Sequence, residues 1–546
     1  MKPEPEIHNS PRQVALPLLL AIAVVAGVLI GLYLGNYQAP DKSIQSSSDK
    51  YGQILGLINR DYVDTVNTEE LVEYSIKQML ERLDPHTVYI PRRDLELAQS
   101  SLEQNFEGVG IEFTIVKDTL FVLNTISGGP SEKVGIQSGD KIVQVNGENI
   151  VGETVKTRDV FKLLRGPKGS VVDVAIRRRG FPELLDFKIS RDNIPTRAIS
   201  AKYMVNDSIG YIKLDRFAKG SYSEFYEALE SQVTEGVGYL IFDLRDNGGG
   251  YLDEATNIID EFLEPGKLIV YTKGQQVKHN KEYLAQREGL FEEGKVVVLI
   301  NENSASASEI VAGALQDNDR ALIVGRRSFG KGLVQKPNEL IDGSELRLTI
   351  SRYYTPSGRC IQKPYSASDK EYANDYNNRL ESGELFSVDS IQVNDSLRYR
   401  TTNGRLVYGG GGILPDDFIP KDTSEYSVYL GNLYASNALR EAAIYYANDN
   451  KQTLLKLGFD HFKKNFEVST DVLDMVNQQA VERGVYFSRI DFERSENVIK
   501  RDFVSLVARN IWGTNAYYEM LNLKDPFIEH SMTLFPSAAT ILGGSK

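Results

Sequence analysis

The segment 295–335 carries the residues of this sequence that are best suited to chemistry. Three serines, Ser304, Ser306 and Ser308, alternate with alanines between an apolar run and an amphipathic run. This pattern predicts a strand, a short turn and a helix, with the serines at or near the helix N-terminus. Free backbone N–H groups and the positive end of the helix dipole favour a developing oxyanion there. The position therefore suits a serine nucleophile.

An ordinary helix cap is the alternative explanation for these serines. Serine is a preferred N-cap residue, and Glu309 is placed to complete a capping box. Caps are far commoner than nucleophiles, so this segment alone favours the cap.

Two further features favour catalysis. Lys331 lies between two glycines after the next predicted strand, an unusual setting for a solvated lysine because glycine lets the backbone pack closely. Three consecutive glycines, 248–250, follow another predicted strand. Such a loop costs backbone entropy and is tolerated where amides must approach another group, such as a carbonyl oxygen. Each feature alone is also compatible with an ordinary flexible turn.

Together these motifs resemble those of the C-terminal processing (tail-specific) peptidase family, which consists of PDZ-containing Ser/Lys serine proteases. The shared stretches are SASASE, FGKGLVQ and LRDNGGG. The resemblance implies that Ser306 is the nucleophile and that Lys331, 25 positions later, is the general base. It also implies that Gln335 orients the lysine.

The resemblance extends over most of residues 51–420 and implies an oxyanion hole. The N–H groups of Ala307 and Gly250 would form it, with Gly249 as the alternative to Gly250. The further matching stretches are LDPHTVYI, YYTPSGRCIQ and GGGGILPD, in which Cys360 stands where a serine is usual. The implied fold class is an α/β protease core of the crotonase-like (ClpP/crotonase) layered type.

Residues 106–195 combine short alternating runs with turn residues, which predicts a small β-rich domain. This region resembles the family's PDZ domain, with FEGVGIEF as the carboxylate-binding loop and strand. The resemblance implies that a C-terminal carboxylate binds the amides near Gly108, Val109 and Gly110 while the peptide adds as a strand alongside Ile111. A plain hairpin turn is the alternative for this loop.

Arg165 lies in the turn LLRGPKG of the same region. It matches an arginine that couples PDZ position to protease state in some relatives of the family. An ordinary surface arginine in a turn is the alternative.

The N-terminus predicts a membrane anchor. Residues 14–34 carry no charge, and a helix of that length would extend about 31 Å, close to the bilayer core of about 30 Å. No clear small-x-small cleavage site follows, which favours an anchor over a signal peptide. Lys2 and Arg12 weakly favour a cytoplasmic N-terminus. We therefore expect a single-pass protein of the bacterial inner membrane whose catalytic part faces the periplasm.

The remaining pattern predicts helices, a layered α/β core and a helical appendage. The expected regions are a cytoplasmic N-terminus 1–13, a transmembrane anchor 14–35, a flexible linker 36–50, a helical segment 51–105, the PDZ domain 106–195, the protease core 196–422 and a separate helical C-terminal domain 423–546.

Composition excludes several classes of partner. A formal charge of -13 argues against nucleic acid. Five scattered histidines and a single cysteine, Cys360, give no metal-binding cluster and no intrachain disulfide. We expect no metal and no organic cofactor. The expected substrates are proteins or peptides with free, unstructured C-termini.

The sequence thus predicts a serine endopeptidase that cleaves extracytoplasmic proteins recognised by their C-terminal tails. A lysine base must be neutral, so we expect Lys331 to be buried without a carboxylate partner. The alternatives are a non-catalytic binding or scaffold protein with the same fold, and a hydrolase of non-peptide esters or amides. The intact set of Ser306, Lys331 and Gln335 favours the peptidase. An adaptor or a homo-oligomer is a further expected partner, with 423–546 contributing to oligomerisation.

Overall fold

The computed structural model describes residues 19–28, 42–100, 102–116, 119–152, 157–365 and 372–542. The chain divides into two units, 1–78 and 79–546. The expected cytoplasmic segment 1–13 and most of the expected anchor 14–35 lie outside the described residues. Among the residues that are described, no helix is long and apolar enough to cross a membrane.

The first unit is helical at 19–28 and in α1, which spans Lys42–Asp61. Helix α2 spans Thr68–Leu80 and so includes the end of the first unit and the start of the second. Both helices agree with the helical segment that was expected from residue 51 onward. Residues 42–50 were expected to belong to a flexible linker, and here the structure differs. This stretch contains neither glycine nor proline, so nothing interrupts the helix on the N-terminal side of Tyr51.

The second unit contains mixed strands and helices. Its strands are β1 Val88–Ile90, β2 Asn105–Gly108, β3 Ile111–Val116, β4 Thr119–Thr125, β5 Lys141–Val145, β6 Glu148–Asn149, β7 Val171–Arg177, β8 Leu185–Ser190, β9 Asp192–Pro195, β10 Ile199–Met204, β11 Ile209–Leu214, β12 Tyr239–Asp243, β13 Leu268–Gly274, β14 Lys281–Leu284, β15 Lys295–Ile300, β16 Ala321–Gly325, β17 Leu333–Glu339, β18 Glu345–Tyr354, β19 Arg398–Arg400, β20 Leu406–Tyr408 and β21 Asp417–Phe418. Its helices are α3 Arg92–Ser100, α4 Pro130–Val134, α5 Thr157–Leu164, α6 Ser221–Thr234, α7 Leu252–Ile259, α8 Ala307–Asp317, α9 Asp375–Glu381, α10 Val428–Ala435, α11 Ala438–Leu457, α12 Phe459–Asn465, α13 Thr470–Glu482, α14 Arg489–Trp512, α15 Thr514–Leu521 and α16 Pro526–Leu542.

The core is a sheet of order β10-β11-β12-β15-β16-β21. Strand β10 is antiparallel to its neighbour, and the other pairs are parallel. Strands β11 and β16 are buried along their whole length, as continuous apolar runs in a parallel sheet require. Because the parallel strands run in one direction, the loops after β12, β15 and β16 share one edge of the sheet.

Helices cover both faces of this sheet. Phe242 and Val298 pack in one cluster with residues of α6, α7 and α8. Their neighbours Ile241 and Val297 face the other way and pack with Phe527 and Phe535 of α16. The core therefore has three layers.

Helix α16 lies within the region that the sequence pattern assigned to a separate helical domain, and the structure differs there. A parallel sheet must be covered on both faces, and the helices between its strands pack on one of them. The apolar C-terminal helix covers the other face, so the last helix of the chain is part of the core.

A second, antiparallel sheet has the order β1-β18-β13-β14, with β17 also paired to β18. Strands β17 and β18 form an antiparallel hairpin in which Gln335 lies opposite Thr349, next to an irregularity between Val334 and Gln335. This sheet therefore fixes the segment that follows Lys331.

The region expected to be a PDZ domain has a sheet of order β3-β4-β5-β7-β8, with β6 paired to β5. The expected β-rich character is confirmed, and two helices, α4 and α5, lie between the strands. Strands β2 and β9 pair from Asn105↔Pro195 to Gly108↔Asp192. The chain thus enters and leaves this domain through a two-stranded neck.

Helices α10–α15 form a separate apolar cluster, and both α11 and α14 contact the PDZ region. Arg509 of α14 donates a hydrogen bond to Glu112 of β3 at 2.7 Å, and α11 makes the other contacts. Ile444 of α11 is buried against Phe121 of β4. Asn448 Nδ2 donates a hydrogen bond to the Ser138 carbonyl at 2.9 Å. Lys141 and Glu441 form an ion pair at 3.4 Å. The helical domain therefore holds the PDZ sheet by one face.

Replacing Ile444 by aspartate tests this contact. Ile444→Asp buries an unpaired carboxylate against Phe121, which we expect to weaken the contact by about 3 kcal/mol. Amide hydrogen exchange in β3 and β4, followed by mass spectrometry, is expected to accelerate. Leu455→Asp, at an exposed position of the same helix, is the matched control and leaves that exchange unchanged. Equal exchange in all three proteins would show that the contact does not hold the PDZ sheet.

Candidate active site

The three alternating serines differ in their surroundings. Ser304 and Ser308 are 0% exposed. The hydroxyl of Ser304 donates to the Leu244 carbonyl at 2.8 Å, and that of Ser308 donates to the Asn247 carbonyl at 2.8 Å. Ser306 alone of the three is partly exposed. The outer two serines therefore fix the turn to the loop after β12, and the middle one is left for chemistry.

Ser306 is the N-cap residue of α8 and has φ 57° and ψ -112°. A positive φ is uncommon for a residue with a side chain and costs conformational energy. The strain is located at the turn between β15 and α8, at the sheet edge where the neighbouring loops also lie.

The glycine loop lies directly against Ser306. A Cβ on Gly249, whose φ is +99°, would lie 2.8 Å from Ser306 Cβ, and a Cβ on Gly250 would lie 2.2 Å from the Phe217 carbonyl oxygen. The Gly249 N–H donates to Asn247 Oδ1 at 2.9 Å. Among the described residues, no hydrogen bond uses the N–H of Gly250 or Ala307. Of the two glycines, Gly250 has the N–H available for an oxyanion.

Glu309 joins the serine turn to the lysine loop. Its side chain is 0% exposed. Its Oε2 accepts the N–H of Ser306 and the N–H of Lys331, each at 2.8 Å. Its Oε1 accepts the Ser328 hydroxyl at 2.6 Å and the Gly330 N–H at 2.7 Å. Each oxygen thus receives two donors, an arrangement that fits an ionised carboxylate.

Burial raises the pKa of Glu309 above its usual value, and the hydrogen bonds from Ser328 and from the amides of Lys331, Gly330 and Ser306 act in the opposite direction.

Tyr353 forms a second bridge between the serine turn and the lysine loop. The Tyr353 hydroxyl contacts the Ser306 carbonyl oxygen at 3.2 Å and also the Lys331 carbonyl oxygen.

Lys331 Nζ donates to Gln335 Oε1 at 3.3 Å. Burial lowers its pKa, while the charges of Glu309 and Asp84 oppose that change. In the part of the chain that the structure describes, Nζ forms no ion pair and no hydrogen bond to Ser306 Oγ. Such contacts are often long before substrate binds. The arrangement provides a partly desolvated amine without a carboxylate partner, as a lysine base requires.

The candidate PDZ residues form a separate site. Gly108 ends β2, Ile111 begins β3, and the carbonyl of Val109 accepts the N–H and the hydroxyl of Ser131. Gly110 has φ +73°, and a Cβ there would lie 2.9 Å from the Ile194 side chain. The loop is therefore a constrained connection between two strands.

Arg165 lies beside this loop, since it forms an isolated β-bridge with Gly108. Its guanidinium carbon is 4.7 Å from the Phe106 ring centroid and 4.9 Å from that of Phe161. Its buried Nε has no hydrogen-bond partner within the described residues. Arg165 is therefore enclosed between aromatic rings, which an ordinary exposed turn residue is not.

Several known proteins are similar to this chain in sequence. Residues 208–371 match Peptidase family S41. The carboxy-terminal-processing protease of Bartonella bacilliformis is 38% identical over 317 residues, which are 57% of this chain and 72% of the relative. The chain belongs to peptidase family S41. This S41 protein is therefore a serine-type peptidase of the carboxy-terminal processing group, and its substrates are proteins or peptides.

Other matches cover further parts of this S41 peptidase. The carboxy-terminal processing protease CtpB of Bacillus subtilis is 32% identical over 401 residues, 69% of this chain and 79% of that protein. A solved photosystem II D1 C-terminal processing protease is 29% identical and covers 57% of this chain and 89% of its own, with a TM-score of 0.33. Residues 121–178 match the PDZ domain, and residues 429–513 match a family of unknown function (DUF8443).

Sequence reasoning missed part of the S41 site. It treated Glu309 only as a member of a capping box, although its spacing from Ser306 was the available signal. No role was predicted for Tyr353, although it begins the matching stretch YYTPSGRCIQ. The carbonyl of His86, which accepts a hydrogen bond from Gln335 Nε2, was also missed.

Glu309→Gln tests the junction. The amide presents an NH₂ group to two buried donors, so we expect a loss of about 2–5 kcal/mol in the free energy of unfolding. We also expect peptidase activity to fall about 100-fold, because Ser306 and Lys331 lose their common partner. Urea unfolding and turnover of an unfolded protein substrate measure the two effects.

Glu261→Gln is the matched control, since Glu261 is a buried carboxylate that accepts hydrogen bonds from Tyr222 and Leu290. It is expected to lower stability while the folded enzyme keeps its activity. Full activity in folded Glu309→Gln would contradict the assigned junction.

Proposed function

We propose that this S41 peptidase is an endopeptidase with a Ser306 nucleophile and a Lys331 general base, which cleaves proteins recognised by their C-terminal tails. The observation that carries the proposal is the shared carboxylate oxygen of Glu309, which accepts the N–H of both residues. It ties together two segments that are far apart in the sequence.

Acyl transfer follows from these roles. Neutral Lys331 takes the proton of Ser306 Oγ, and Oγ attacks the carbonyl carbon of the substrate. The oxyanion that forms accepts the N–H groups of Ala307 and Gly250. The C–N bond breaks, and the ammonium of Lys331 returns the proton to the leaving amine. Water then attacks the acyl-enzyme, with Lys331 again accepting a proton, and Ser306 is regenerated.

Gln335 has a supporting role in this proposal. Its Oε1 accepts a hydrogen bond from Lys331 Nζ and carries no formal charge. A carboxylate at that position would stabilise the ammonium and raise the pKa of the base. A neutral acceptor holds the amine while leaving it free to lose its proton.

The PDZ domain supports selection of C-terminal tails. Among the strands that the structure describes, β3 is at the edge of its sheet and pairs with β4 only, so a peptide can add along its other edge. The amides of Gly108, Val109 and Gly110 would receive the terminal carboxylate, and Ile111 begins the strand that pairs with the peptide. Phe113 of β3 and Phe161 of α5, whose rings are 5.3 Å apart, offer an apolar surface for side chains of the tail.

The wider setting is also a proposal. Parallel strands with helices on both faces support crotonase-like layering of the core. The uncharged run 14–34 supports an N-terminal anchor in a bacterial inner membrane, with the peptidase in the periplasm acting on extracytoplasmic proteins. In this proposal the helical domain is the surface that contacts an adaptor or a second copy of the chain. Arg165 couples the position of the PDZ domain to the state of the core.

The decisive experiment uses an unfolded reporter protein with an apolar C-terminal tail. We expect the full chain to cleave it and expect Ser306→Ala and Lys331→Ala each to lose at least about 1,000-fold in kcat, because each removes a reacting group. Cys360→Ser, which restores the residue usual in the family, is the control that keeps activity. Binding of the tail without cleavage by any of these proteins would instead favour a non-catalytic scaffold.

The same reporter with a C-terminal amide separates recognition from chemistry. The amide lacks the negative charge that the PDZ loop would bind, so KM is expected to rise while kcat stays similar. Equal KM values for acid and amide would remove the carboxylate from the proposal and leave the Ser306/Lys331 chemistry intact.

A further inference from the structure

The stretch LDPHTVYI lies at the active site of this peptidase, and its role there is not explained by the reaction itself. It forms a tight turn around a buried carboxylate. Asp84 Oδ1 accepts the N–H of His86 at 2.8 Å and that of Thr87 at 2.9 Å. Asp84 Oδ2 accepts the Thr87 hydroxyl at 2.6 Å. These hydrogen bonds fix the backbone conformation of the turn at His86.

The turn is attached to the strand beside Gln335. The Thr349 hydroxyl donates to Asp84 Oδ1 at 3.1 Å, and the Thr349 N–H donates to Thr87 Oγ1 at 3.2 Å. Thr349 is the cross-strand partner of Gln335 in the β17–β18 hairpin. Asp84 therefore sets the position of the turn relative to Gln335.

The carbonyl of His86 determines the orientation of the Gln335 amide. Gln335 Nε2 donates a hydrogen bond to this carbonyl oxygen. A carbonyl oxygen only accepts, so it selects the NH₂ side of the amide. The other side, Oε1, then faces Lys331 Nζ at 3.3 Å. The opposite amide orientation would place two acceptor oxygens, those of Gln335 and of the His86 carbonyl, against each other. It would also remove the acceptor from Lys331 Nζ.

The ring of His86 is held as well. Its Nε2 lies 2.7 Å from the Tyr372 hydroxyl. Burial and the positive charges of Lys331 and Lys363 lower the pKa of His86 to about 4, although Asp84 acts in the opposite direction. The ring is therefore neutral near pH 7 and places no second cation beside the lysine.

We propose that the turn 84–87 is a positioning element for the reaction: through the carbonyl of His86 it fixes the amide of Gln335, which holds Lys331 in the direction of Ser306. This inference rests on the proposed Ser306/Lys331 chemistry. Asp84 and His86 act through Gln335 and do not touch the substrate.

Asp84 also affects Lys331 through its charge. The charges that act on the amine are those of Glu309 and Asp84, which raise its pKa, and that of Arg347, which lowers it. The ring of His86 also lies nearby, and because its pKa is about 4 it is neutral near pH 7. Removing the charge of Asp84 therefore lowers the pKa of Lys331. More of the lysine is then neutral at a given pH, and the rising limb of the pH–rate profile moves to lower pH.

Two substitutions at Asp84 separate geometry from charge. Asp84→Asn keeps an acceptor oxygen for the turn and removes the charge, so the rising limb moves to lower pH while the plateau kcat stays within about threefold. Asp84→Ala loses the turn, and we expect kcat to fall about 100-fold with little change in KM. The kcat of Gln335→Ala should fall to a similar extent. The kcat of the double variant should fall no further, because both substitutions break the same connection between the turn and Lys331.

A readout without turnover keeps this inference separate from the proposed function. Competitive acylation of lysines across pH, mapped by mass spectrometry, gives the pKa and reactivity of Lys331 in folded protein. Asp84→Ala and the double variant also lose the charge of Asp84, so both should lower the pKa of Lys331 as Asp84→Asn does, whereas Gln335→Ala keeps that charge. The reactivity of the neutral lysine, taken at pH values above its pKa, should change equally in Asp84→Ala, Gln335→Ala and the double variant. Asp342→Ala, which removes a similar turn at the far end of the same hairpin, is the control that changes neither readout.

The outcomes are distinguishable. Multiplicative losses in kcat, or independent changes in the reactivity of the neutral lysine, would overturn the positioning role of the turn. If the parent never cleaves, the proposed chemistry fails, and the acylation data alone decide whether the turn fixes Lys331 through Gln335.

Discussion

The active site depends on one buried charge, the carboxylate of Glu309. Four donors surround it, from Ser306 on one side and from Ser328, Gly330 and Lys331 on the other. Burial makes an ionised carboxylate unfavourable, and charge-assisted hydrogen bonds offset that cost only when every donor is in place. The serine turn and the lysine loop are therefore held together or lost together.

Sheet order explains why these donors meet. Strands β12, β15 and β16 are parallel neighbours, so the loops that follow them lie at one edge. The first loop provides Gly250, the second Ser306 and the third Lys331. Helices α6, α7 and α8 cover one face of these strands, and helix α16 covers the other face. The last helix of the chain thus supports the sheet on which the chemistry is built.

The sequence predicted most strands and the helix after Ser306, because apolar runs and local spacing are visible in one segment. It also indicated Ser306, Lys331 and Gln335, whose roles came from a family resemblance and not from their spacing or residue type. The bridging role of Glu309 could not be predicted, since its partners Gly330 and Lys331 are brought to it by the pairing of β15 with β16. The contact of Ile444 with Phe121 likewise joins residues that no local pattern connects.

The central claim is that this fold selects Ser306 among three similar serines and activates it with Lys331. Brief reaction of the full chain with an activated ester of a short apolar peptide, quenched in acid and mapped by mass spectrometry, tests it directly. The account predicts an acyl group on Ser306 in the parent and none in Lys331→Ala. Acylation of Ser304 or Ser308, or equal acylation of Ser306 without Lys331, would contradict it.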